Sequence, residues 1–193
     1  MKTLHELGMQ YKTDKAFRHN YCNFYDKHLS PYRHEALKIL EIGVKGGSSL
    51  RMWRDYFYNS NIYGIDINLN SMFEEDRIYT FIQDQGDVEG LKKFVEKYGP
   101  FDIVIDDGSH NTDHLDISYQ LFKHSPVFIW EDICVCNFHI LDYKKHDKGP
   151  NANGKYPLDV AKELVKAHDN CFLFDNNNTG ESVTFLINNM EDK

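Results

Sequence analysis

Short apolar runs that stop abruptly at acidic or glycine-rich turns alternate along this chain with stretches of helical spacing. Residues 37–43, 61–66, 101–107 and 127–132 have the length and the Ile/Val content of buried parallel strands. Phe81-Ile82 adds a shorter strand whose exit, Gln83-Asp84-Gln85-Gly86-Asp87, is polar. Segments 48–58 and 88–98 carry helical spacing; in the second, Leu91, Phe94 and Val95 fall on one face. Toward the C-terminus, Cys171-Phe172-Leu173-Phe174, a turn-rich stretch at 175–180 and an apolar run at 182–187 form a hairpin signal. The expected fold is α/β: a doubly wound, mostly parallel sheet of seven strands closed by a C-terminal antiparallel hairpin.

A chain of 193 residues supports one domain with a substantial core. Residues 1–36 are expected as a helical cap segment and 37–193 as the core. The stretch 133–156, which includes Asn151-Ala152-Asn153-Gly154, has the composition and length of a lid loop. Pro157 then opens a helix over 158–168.

Charge narrows the partners. With 22 basic and 30 acidic side chains the net charge is −8, which disfavours non-specific binding to nucleic acid and favours a small neutral or cationic partner. No run approaches the roughly 20 apolar residues of a membrane span, and the first residues lack a secretory pattern, so a soluble cytoplasmic protein without a membrane partner is expected. A homo-oligomer stays open. Cys22, Cys134, Cys136 and Cys171 fit neither a disulfide framework nor a zinc spacing and are expected as ordinary thiols.

The first strand leads into Glu41-Ile42-Gly43-Val44-Lys45-Gly46-Gly47-Ser48-Ser49, a turn whose glycines let the backbone approach a ligand. Lys45 stands where the dinucleotide fingerprint needs a second glycine, so a nicotinamide cofactor is disfavoured. Asp66, at the next strand end, suits two ribose hydroxyls; alternatively it caps a turn. The exit holding Asp84 and Gln85 suits an adenine edge. All these exits lie on one edge of the sheet, where open α/β folds bind ligands.

Two more exits are acidic: Asp106-Asp107-Gly108-Ser109-His110 and Glu131-Asp132. Carboxylates converging on one edge repel unless a cation sits among them, and hard oxygen donors favour Mg²⁺. Successive strand residues point to opposite faces, so Glu131 and Asp132 can share an ion only if the chain turns there. The alternative is a set of solvated strand-end acids. Asp107 and His110, three apart in a turn, are close enough to serve one substrate oxygen. His114, His139 and His146 read as solvated or structural.

Leu40-Glu41-Ile42-Gly43, Tyr63-Gly64-Ile65-Asp66 and the run from Phe101 to His110 resemble the signature stretches of class I, S-adenosylmethionine-dependent methyltransferases. More narrowly, the chain resembles the metal-dependent sugar O-methyltransferases of macrolide and related natural-product pathways, a likeness that extends to Thr13-Asp14-Lys15, His19, Tyr21 and Tyr25 and covers roughly Tyr11 to Asp132. The resemblance implies a Rossmann-like sheet, S-adenosylmethionine and Mg²⁺ as cofactors, and a sugar or glycosylated small molecule as methyl acceptor. It implies cofactor contacts from Glu41, Gly43, Gly46, Gly47, Ser48, Asp66, Asp84, Gln85 and Asp106. Asp107, Glu131 and Asp132 become metal ligands, and His110, beside Asp107, the catalytic base. The N-terminal segment is implied to fold over the cofactor or acceptor. The chain departs from the family at His124-Ser125-Pro126, where members commonly carry a Gly-Gly pair, and in a short acceptor-side tail. These departures keep a second reading open, a non-catalytic nucleoside-binding protein of the same fold.

Overall fold

Each parallel strand ends at its glycine-rich or polar exit, and the three central ones are buried on both faces. In a computed structural model, which describes residues 1–133, 150, 151, 153–176 and 183–190, the parallel strands are β1 (Lys38–Ile42), β2 (Asn61–Asp66), β4 (Ile78–Ile82), β5 (Ile103–Asp106) and β6 (Val127–Trp130). The C-terminal hairpin signal becomes β7 (Cys171–Asp175) and β8 (Val183–Asn188), antiparallel to one another. An eighth strand, the two-residue β3 (Glu74–Glu75), pairs antiparallel with β4 at the edge. The sheet therefore has eight strands where the periodicity shows seven; two residues are too few to carry a period. Its order is β3-β4-β2-β1-β5-β6-β8-β7. The run read at Phe81-Ile82 begins earlier, at Ile78.

Alternation within β1 divides the core. Ile39 faces one layer with Leu50, Trp53 and the N-terminal helices, while Leu40 and Ile42 face the other with Leu91, Phe94 and Leu115. The first layer is built by α1 (Leu4–Tyr11), α2 (Asp14–Phe17), α3 (Tyr21–Leu29) and α4 (Ser48–Tyr56). The second is built by α5 (Val88–Tyr98), α6 (Thr112–Phe122) and α7 (Pro157–Ala167). Thr3 and Glu6 form a reciprocal capping box that starts α1, and Asp87 caps α5 through the Gly90 amide. Tyr21 and Tyr25, four apart on α3, are both fully buried, as one shared helix face requires.

Strand order reverses at β1, which lies between β2 and β5. Past the strand ends the ladder continues: the Gly43 amide donates to Ile65 O at 2.8 Å, Asp107 N to Ile42 O at 3.0 Å and Glu131 N to Asp106 O at 2.9 Å. The exits of four strands are thus held side by side at the crevice where such sheets bind ligands.

No helix among the described residues is long and apolar enough to cross a membrane. Cys22 and Cys171 are free and buried. Cys134, Cys136, His139, His146 and most of the expected lid loop lie outside the described residues, as does the tip of the hairpin.

Candidate active site

Gly43 makes the crevice possible. Its φ is +96°, and a Cβ there would meet Asp107 O at 2.1 Å, so only glycine allows the β1 and β5 exits to approach this closely. Lys45 follows at φ +51°, and Gly47, at φ +72°, caps α4. Asp66 braces this turn. Its Oδ2 accepts from the amides of Val44 and Lys45, both at 2.9 Å, and its Oδ1 from Asn68 N at 2.8 Å. Burial pushes the Asp66 carboxyl up, but the amides of Asn68, Lys45 and Val44 outweigh it and hold the group below its ordinary value.

The turn opens into a cavity of about 910 Å³, within the usual range for small-molecule sites. Gly43, Gly46, Ser48 and Asp66 line one side; Asp107, His110 and Asp132 line another. The N-terminal segment supplies a wall through Thr13, Asp14, Phe17 and His19. Asp14 reaches Lys45 across the mouth at 3.7 Å.

The remaining sequence-derived candidates do not line the cavity. Gly47 packs against the Phe73 ring. Asp84 caps the Gly86 amide at 2.8 Å. Gln85 donates to both oxygens of Asp106, at 2.8 and 2.7 Å, and accepts from Ser109 N at 3.1 Å. Asp106 is completely buried and also receives the Ser118 hydroxyl, so it has no surface for a ligand. Burial pushes its carboxyl up to about 6. These contacts tie the β4 and β5 exits to one another and set the cavity wall from behind. Ser109, on the cavity side, is held by His114 Nδ1 at 2.8 Å, which makes His114 structural.

The acidic exits diverge. Glu131 is still in the ladder and turns inward at 1% exposure, whereas Asp132, at φ +52°, leaves the strand in the left-handed conformation. That turn lets both carboxylates face the N-terminal cap despite being adjacent. Asp132 receives the Tyr21 hydroxyl and lies 3.6 Å from His19 Nδ1. Burial, reinforced by Asp107, holds the Asp132 carboxyl above its usual range. His110 is also left-handed, at φ +54°, an uncommon conformation for a non-glycine residue. Its Nε2 lies 3.8 Å from Asp107 Oδ1.

At the centre stands a residue that the sequence placed in the N-terminal cap segment without a role of its own in the site. Lys15 Nζ donates to Asp107 Oδ2 at 2.6 Å and Glu131 Oε2 at 2.7 Å, and lies 3.2 Å from Glu41 Oε1. Burial opposes its charge, but Asp107, Glu131 and Glu41 outweigh it and keep the ammonium well above its ordinary value. Burial pushes Glu41 up to about 7. Part of the positive charge expected from a metal is therefore built into the chain. Toward the cavity, donor atoms of Asp107, His110 and Asp132 all lie within 4.8 Å of one another. His110 stands in this group where Glu131 was expected, because Glu131 is turned to Lys15.

No family model matches the chain. It is 42% identical over 142 residues to demethylmacrocin O-methyltransferase of Streptomyces fradiae. It is 45% identical over 142 residues to mycinamicin VI 2''-O-methyltransferase of Micromonospora griseorubida. Each alignment covers 67% of this chain and 36% of the relative. The MycE methyltransferase of the mycinamycin biosynthetic pathway, solved in complex with Mg and SAH, superimposes with a TM-score of 0.79 at 34% identity. That superposition covers 97% of this chain and 54% of the other. The chain thus spans about a third of the curated relatives and about half of the crystallised one. With this sheet order and these relatives, the chain has the class I, S-adenosylmethionine-dependent methyltransferase fold and is related to the macrolide sugar O-methyltransferases.

Proposed function

We propose that the chain is a S-adenosylmethionine-dependent O-methyltransferase acting on a sugar hydroxyl of a glycosylated small molecule, assisted by a divalent ion. The observation that carries this reading is that the glycine turn with Asp66 and the acidic set Asp107, His110 and Asp132 open into one cavity. A nucleoside and an acceptor can be held there side by side. Relatives whose O-methyltransferase names specify rhamnosyl and olivosyl substrates support the acceptor class.

Gly43, Gly46 and Ser48 admit the cofactor's backbone-close portion, and Asp66 shares its outer lone pairs with the ribose. Asp107 and Asp132, with His110 adjoining, fit a hard cation: their donor atoms cluster, and Glu131 Oε1 is buried without a hydrogen-bond partner among the described residues. When bound, the cofactor supplies an electrophilic methyl group and the ion favours the ionised form of the acceptor oxygen. His110 takes the acceptor proton at an imidazole nitrogen, and Asp107 steadies the resulting imidazolium. The N-terminal wall limits water at the reacting oxygen.

Titration calorimetry with S-adenosylmethionine and SAH tests the core of the proposal. Micromolar binding is expected; no binding at millimolar concentration rejects it. Tight binding with no methylated product across a broad glycoside panel favours the non-catalytic nucleoside-binding reading instead.

A further inference from the structure

Among the described residues Lys15 is the only lysine or arginine that is buried, at 1% exposure. An ammonium has three N–H donors, and three carboxylates surround this one: Glu41 from β1, Asp107 after β5 and Glu131 after β6. One cation from α2 thus pins the N-terminal cap to three strand ends. Its hold on Asp107 uses Oδ2 and leaves Oδ1 toward His110 and the cavity. Its hold on Glu131 uses Oε2 and leaves Oε1 buried and unpartnered among the described residues. Glu41 and Glu131 are fully buried and Asp107 is partly so, and carboxylates gathered in this way are costly to hold ionised without a cation among them.

We infer that Lys15 is a resident counter-ion that compensates the inner carboxylates whether or not a divalent ion occupies the Asp107–Asp132 side, so that the fold is independent of the ion and the ion exchanges freely. This rests on the reading that a divalent ion binds at that side. Lys15 touches no reacting atom; it is a positioning residue that acts on the ion through Asp107. The ammonium and a divalent ion share one carboxylate, and their repulsion across it weakens the ion's hold. Without Lys15 the ion would become the only strong positive charge available, and both its affinity and its contribution to folding would rise.

The test is Lys15→Met, which keeps the length of the stem and removes the charge. Thermal unfolding is followed in chelator and in Mg²⁺, and Mn²⁺ binding is measured by electron paramagnetic resonance. Wild type is expected to unfold at nearly the same temperature in both conditions. The variant should lose about 10 °C in chelator, recover most of it with Mg²⁺, and bind Mn²⁺ at least about tenfold more tightly. A charge-balanced double variant, Lys15→Met with Glu41→Gln, should regain most of the loss in chelator alone and keeps the test usable if the single variant does not fold. An unchanged melting temperature for Lys15→Met in chelator, equal or weaker Mn²⁺ binding, or a double variant no more stable than the single overturns the inference. If wild type takes up no Mn²⁺ but Lys15→Met does, the metal-assisted reading of the wild type falls and the inference, which needs an exchanging ion there, falls with it; Mn²⁺ uptake by wild type without the expected behaviour of the variant overturns the inference alone. If neither takes it up, both fall.

Discussion

Asp107 Oδ2 accepts a hydrogen bond from Lys15 Nζ at 2.6 Å, across 92 residues of sequence. Asp107 therefore has two faces: one oxygen belongs to the buried charge cluster and the other to the cavity. Asp107→Asn keeps the shape and removes the charge from both. Turnover should fall by about 100-fold or more through lost ion binding, while SAH affinity stays within about threefold because Gly43 and Asp66 are untouched. Calorimetry with SAH in parallel with a Mn²⁺ titration separates the two effects. Equal loss of both would show that Asp107 organises the whole cavity.

His110 lines the same cavity but contributes a proton acceptor. His110→Ala should retain SAH binding and lose about 10² to 10⁴ in the methyl-transfer rate, the usual worth of a positioned base. Single-turnover kinetics at saturating cofactor would check it: the methyl-transfer step itself should slow in the variant while SAH affinity is unchanged. A loss smaller than about tenfold would leave the ion as the main agent.

Asp66 should couple cofactor binding to stability. Asp66→Ala strips an acceptor from three backbone amides of the turn and is expected to weaken SAH binding and to cost about 2 kcal/mol of folding stability. Because folding depresses this carboxyl below its ordinary 3.8, its contribution is present above that pH and lost as pH falls through the folded value. Denaturant melts of wild type and variant should differ fully at neutral pH and converge in acid. A gap that is constant with pH would point to packing instead.

Gly43→Ala should be among the most damaging single changes at the site. A methyl group would lie 2.1 Å from Asp107 O at a positive φ, so the β1 and β5 exits must separate. Lower thermal stability together with loss of SAH binding is expected; calorimetry on the folded fraction would reveal intact binding if the close approach had no role.

Much of this was written locally in the chain. Apolar runs and helical spacing depend on near neighbours, which is why 61–66 and 88–98 coincide with β2 and α5, and why the acidic and glycine exits share one edge. Tertiary structure alone decided which exit residues face the ligand. Asp106, Asp107, Glu131 and Asp132 look equivalent as sequence, yet Asp106 is sealed by Gln85 and Ser118 while Glu131 turns to Lys15. Asp132 reaches the cavity because the backbone turns left-handed there. No local period encodes which charge meets which across 92 or 116 residues. The repulsion among the strand-end acids called for a cation, and only the packing of α2 against the sheet edge brought Lys15 to that place.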